Sequence, residues 1–102
     1  MVRLALCNCS PEEAPSLAKR LVEEELAACV NLIEGVRSFY RWEGQLCDDE
    51  EVTLLIKTTA GCYEKMARTL AQHHSYDVPE IIALDPEEVS SPYAEWVHDQ
   101  VE

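Results

Sequence analysis

Cys29-Val30-Asn31-Leu32-Ile33-Glu34-Gly35-Val36-Arg37-Ser38-Phe39-Tyr40-Arg41-Trp42, answered downstream by Val52-Thr53-Leu54-Leu55-Ile56-Lys57-Thr58, is the stretch on which the fold turns. β-Branched and aromatic residues dominate both runs, and from Val36 onward aromatic and polar residues alternate, the period of an extended chain. Gly35 interrupts the first run and predicts a bulge or bend. Glu43-Gly44-Gln45-Leu46 predicts the hairpin end, and Asp48-Asp49-Glu50-Glu51 a solvated acidic shoulder before the return strand Val52–Thr58. Paired, the two runs form a long β-hairpin. Such a ribbon is marginal alone in water and leaves an open edge, so it calls for a partner surface.

Working outward, Val2 to Cys9 is a short apolar run bounded by Ser10-Pro11, which predicts a buried strand. Ser10-Pro11-Glu12-Glu13 reads as a helix start with the spacing of a capping box, although Pro15 pushes the first regular turn toward residue 14. Ala14, Leu17, Ala18, Leu21, Val22 and Leu26 recur at helical spacing. Past the hairpin, Thr59 is placed to cap a helix over 60–73 with Tyr63, Met66, Ala67 and Leu70 inward. Val78 to Asp85 predicts a fourth strand entered through Pro79. Ser91 to Val101, with Pro92 near its start, predicts a terminal helix. The order β-α-β-β-α-β plus a helix is the split βαβ pattern of an α+β, ferredoxin-like fold, and the 102 residues read as one domain, 1–102.

The formal charge is −12, from 20 acidic against 8 basic side chains. That balance excludes nucleic acid and anionic membrane surfaces as partners, since both need clustered Lys and Arg. No apolar run reaches the ~20 residues of a membrane span, and the N-terminus lacks the length of a secretory signal, so the expected location is cytoplasmic. Five cysteines without framework spacing read as thiols in a reducing compartment.

Several strings together resemble the CutA divalent-cation tolerance family: Leu6-Cys7-Asn8-Cys9, Leu26-Ala27-Ala28-Cys29-Val30-Asn31-Leu32-Ile33, Tyr40-Arg41-Trp42-Glu43-Gly44, Ile56-Lys57-Thr58-Thr59, His74-Ser75-Tyr76-Asp77-Val78-Pro79-Glu80-Ile81-Ile82 and Tyr93-Ala94-Glu95-Trp96-Val97. Each is weak by itself, but the ordered set spans nearly the whole chain. The chain departs from the family pattern where His74-Ser75-Tyr76 replaces His-Pro-Tyr. The resemblance implies a homotrimer whose hairpins pair edge to edge between subunits. It also implies a copper site (Cu2+) carried onto Cys7, His73 and His74.

Thiolate and imidazole are ligands that copper and zinc prefer, and Cys9, two residues from Cys7 on the same strand face, is an alternative thiol. Against this, adjacent histidines inside a helix point ~100° apart and share one ion only if the helix has ended. Either of them also serves as a cation at a helix C-terminus. A trimeric small-molecule sensor with a cleft between subunits is the second reading, with Lys57 as an anion anchor or the partner of Glu80, and Tyr76 and Glu80 lining the cleft. No nucleophile elbow, phosphate loop or dinucleotide fingerprint is present, so an enzyme is not expected. The sequence names no protein partner.

Overall fold

The structure is a computed structural model that describes residues 1–101. Its elements are β1 (Val2–Cys9), α1 (Ala14–Glu23), β2 (Cys29–Trp42), β3 (Gln45–Thr59), α2 (Tyr63–His73), β4 (Ile82–Leu84) and α3 (Ser91–Gln100). The strands form one antiparallel sheet in the order β2-β3-β1-β4, the ferredoxin-like arrangement expected from the element order.

Period-2 alternation decides the two sheet faces. Ala5, Cys7 and Cys9 of β1 and Val52, Leu54 and Ile56 of β3 point to one face, where Leu17 and Leu21 of α1 and Met66 and Leu70 of α2 close over them. Each fully buried Leu or Met contributes roughly 1.5–3 kcal/mol by leaving water. A smaller cluster of Val2, Ala28 and Val97 holds α3 against the sheet. The register places Leu4, Leu6, Leu55, Ile33, Ile82 and Leu84 on the opposite face. α1 and α2 lie on the other side and α3 reaches this face only at its Val2 end; the first three are half-buried, and Ile33, Ile82 and Leu84 are exposed.

Three expectations are corrected in detail, while the terminal helix forms as expected. The Ser10–Glu13 capping box forms, with Ser10 N–H donating to Glu13 Oε2 and Glu13 N–H to Ser10 Oγ. It holds a turn before α1 rather than its first helical turn, because the regular helix begins at Ala14 beside Pro15. The acidic run is not a shoulder: β3 begins at Gln45, and residues 48–51 pair with Phe39, Ser38, Arg37 and Val36. Cross-strand neutralisation makes this possible, as Arg37 forms a bidentate pair with Asp48. The fourth strand is only Ile82–Leu84, since Pro79 has no N–H to donate and the pairing to β1 covers Leu4–Leu6 alone. On α3, Val97 is buried, whereas Tyr93 and Trp96 stay exposed with their rings 5.6 Å apart.

The hairpin carries its own punctuation. Glu43 and Gly44 both sit at positive φ, 50° and 80°, as a tight two-residue turn between twisted strands requires. At Gly35, φ 74°, the register slips by one: Ile33 faces Thr53, but Val36 faces Glu51. β2 therefore carries one extra residue, the predicted bulge.

Candidate functional site

α2 ends at His73, and His74 is already extended (φ −77°, ψ 141°), so the two imidazoles leave the helix end in different directions. His74 is buried against β1. Its Nδ1 accepts the Tyr76 backbone N–H at 3.1 Å, and its Nε2 lies 2.9 Å from the Asn8 carbonyl oxygen. A carbonyl only accepts, so Nε2 carries the proton and donates it. Both ring nitrogens are in use, and the one lone pair, on Nδ1, is taken by the Tyr76 N–H. His73 remains on the exposed helix surface, with Nδ1 2.9 Å from the Thr69 carbonyl, so it donates there and leaves Nε2 to solvent.

Cys7 is fully buried on the helix-covered face of β1. Burial, then the neighbouring Cys9 and the carboxylates of Glu80, Glu13 and Glu51, push its thiol up to about 12. Cys9 follows to about 11, again chiefly by burial. Cys7 is thus a sealed thiol, His74 an imidazole bonded at both ring nitrogens and His73 a surface group. Among the described residues no group of three or more His, Cys, Asp or Glu side chains is arranged to hold a metal ion. As they stand, Cys7, His73 and His74 do not fit a copper centre.

What the His74 bonds build is the wall of a cleft. The loop after α2 is tied at three points. Ser75 N–H and Oγ donate to Glu13 at 3.0 and 2.7 Å, His74 holds Asn8, and the Tyr76 hydroxyl donates to Glu51 Oε2 at 2.7 Å. Burial of Glu13 works against its charge, but the bonds from Ser75 and Ser10 win and hold its carboxyl below the usual range. Burial, and then the bond to Glu51, raise the Tyr76 phenol above its ordinary value, so it stays a donor. Asn8 links β1 to both walls: it accepts from Thr53 at 2.7 Å and reaches Glu80 at 3.5 Å. Between this loop and the hairpin lies a cavity of about 640 Å³, lined among others by Asn8, Tyr40, Trp42, Glu51, Tyr76 and Glu80.

Tyr76 and Glu80, expected at a cleft between subunits, line this cleft, which lies between the hairpin and the loop of one chain. Lys57 does not: it is bonded to Asn31 across β2, with Cys29 Sγ at 4.0 Å, on the uncovered sheet face, and it makes no bond to Glu80. Asn8, Glu13 and Glu51 were missed. Asn8 sits between two cysteines that drew attention to themselves, and Glu51 is hidden in an acidic run. The one available signal was parity, since Glu51 precedes Val52 and must face the side opposite the core.

No helix among the described residues is long and apolar enough to cross a membrane. The family profile described as CutA1 divalent ion tolerance protein matches residues 3–100. The divalent-cation tolerance protein CutA of Thermus thermophilus is 44% identical over 90 residues, 88% of this chain and 87% of that protein. Protein CutA of mouse is 39% identical over 99% of this chain, which spans only 58% of the mouse protein. The solved structure of the divalent cation tolerance protein (Cut A1) from Thermus thermophilus superposes with a TM-score of 0.94 at 41% identity, with 100% of each chain covered. Sequence and fold agree over the same residues, and the chain belongs to the CutA1 divalent ion tolerance family.

Proposed function

We propose that this protein acts as a cytoplasmic homotrimer in the tolerance of divalent cations, by binding and not by catalysis. The observation that carries the trimer is the uncovered apolar surface. Leu4, Leu6, Leu55, Ile33, Ile82 and Leu84 form one face, and the hairpin presents Phe39 at 61% and Leu46 at 76% exposure. Apolar surface of this extent on a small domain marks an interface. The outer edges of β2 and β4 are unpaired and supply the matching backbone groups. The five cysteines form no disulfide, which suits a reducing compartment.

Copper, or zinc in its place, is the ion to test. Using Cys7, His73 and His74 together requires drawing a buried thiol outward and displacing the Tyr76 N–H from His74 Nδ1. His73, with Nε2 free on a strongly acidic surface, needs no such rearrangement and is the side chain we assign to first metal contact. The test is calorimetric titration of the reduced protein with Cu2+ and Zn2+, with light scattering on the same samples. Wild type is compared with Cys7→Ser, His73→Ala and Phe39→Asp. A trimer whose metal binding survives Cys7→Ser and falls with His73→Ala supports the reading. Loss of binding in Cys7→Ser restores the three-ligand centre, and a monomeric wild type, or a soluble trimeric Phe39→Asp, overturns the interface.

A second reading is favoured by one observation, the 640 Å³ cleft, whose volume is that of a small-molecule site. In it the trimer senses an organic ligand held between the hairpin and the loop at 75–80, and Lys57 takes no part.

A further inference from the structure

We propose that the cleft selects a small organic ammonium ion, a primary amine carried on an apolar or aromatic body. This rests on the second reading above and names its ligand class. Glu51 lines the cleft yet is only 5% exposed. Its Oε2 is engaged by the Tyr76 hydroxyl, and among the described residues the salt bridges are Arg3–Asp85, Arg20–Glu24 and Arg37–Asp48, none of which reaches Glu51. No buried side-chain nitrogen or oxygen among the described residues lacks a partner, so the other Glu51 oxygen opens to the cleft. Tyr76, which keeps its proton, relieves only one of the two oxygens.

The rest of the lining points the same way. Asp77 and Glu80 add two further carboxylates, and the lining contains no Lys, Arg or His. Phosphates and carboxylic acids meet the like charge of these three carboxylates, and a neutral ligand brings no countercharge to them. A cation with N–H donors satisfies the free Glu51 oxygen by a charge-assisted bond. Tyr40 and Trp42 also line the cleft, and the register sets them on the same hairpin face as Glu51. Aromatic faces attract ammonium groups and pack against apolar bodies. The cavity is far larger than a bare metal ion needs, so the organic body has a place.

The experiment uses 2-phenylethylamine as the probe and 2-phenylethanol as its uncharged counterpart, followed by calorimetry and tryptophan emission on the intact protein. On wild type the amine is expected to bind at least tenfold more tightly than the alcohol. Glu51→Gln is expected to bring that ratio near one, and Trp42→Leu to weaken the amine severalfold. The comparison of the two probes needs no variant, so it stands even if circular dichroism shows Glu51→Gln to be misfolded. Equal binding of amine and alcohol to wild type refutes the ammonium class while leaving the cleft a ligand site. Neither heat nor emission change with either probe overturns the cleft reading and the class with it.

Discussion

Replacing His74 separates a structural imidazole from a metal ligand. In His74→Ala the Asn8 carbonyl and the Tyr76 N–H lose their partners together, at 2.9 and 3.1 Å. A stranded buried polar group costs about 1–3 kcal/mol. Tyr76 is more exposed than Asn8, so water recovers part of its loss, and the packing of the buried ring is lost as well. The expected destabilisation is about 2–4 kcal/mol, a large share of the stability of a domain this size. Two finer variants divide the effect. Asn at 74 carries an acceptor where Nδ1 stood but falls short of Asn8, whereas Gln carries a donor near the Nε2 position and abandons Tyr76. Each is expected to lose roughly half of the alanine value. The assay is urea unfolding of reduced, chelator-treated protein at one fixed concentration, because assembly and folding are linked. If His74→Ala unfolds within about 0.5 kcal/mol of wild type without metal, the two bonds carry no weight and the argument against His74 as a ligand collapses.

Three further outcomes follow from the same geometry. With iodoacetamide near pH 8, the hairpin's Cys47 should be modified first and Cys7 last, because a thiol at about 12 is thiolate only about one part in ten thousand of the time; peptide mass mapping in which Cys7 keeps pace with Cys47 contradicts a sealed core. Glu13 has a folded value below its unfolded one, so its contribution is present above the ordinary carboxyl range near pH ~4.3 and is lost as the pH falls through the folded value. Glu13→Gln should flatten the acid limb of melting temperature against pH, and an unchanged limb would show that the loop is not tethered there. Gly44→Val forces a β-branched residue to φ 80° and should cost about 1–2 kcal/mol in thermal melting; an unshifted midpoint means the turn relaxes.

The sheet was legible because its signals are periodic. β1, the bulged β2 and the core half of β3 carry alternation that only one register buries, and Ala14, Leu17, Leu21, Met66 and Leu70 repeat at helical spacing. The acidic residues 48–51 were misread as a turn because their solvation is obvious one residue at a time. The Arg37 ion pair with Asp48 and the Tyr40 hydroxyl bond to Asp49 are visible only across the strand pair. The cleft was half legible. Tyr76 and Glu80 sit in a motif-rich loop, but Asn8 and Glu51 gain their roles from neighbours 45 and 25 residues away in sequence. His74 shows the same limit. A histidine two residues before a backbone donor reads as a ligand until both of its nitrogens are seen to be occupied.

The extra residue at Gly35 works as a phase shifter for everything beyond it. Before the bulge the odd-numbered residues of β2 share a side with Thr53 and Leu55, and after it the even-numbered ones do, so Ser38, Tyr40 and Trp42 join Glu51. With an unbroken count the same side would receive Arg37, Phe39 and Arg41. Arg37 would then stand opposite Asp49, two positions from the buried carboxylate, and bring a positive charge into the cavity lining. The extra residue thus fixes which side of the hairpin faces the cleft: pairing that ironed out the bulge with the sequence intact would exchange the two sides, whereas removal of one of residues 34–35 would keep Val36 opposite Glu51 and the same lining.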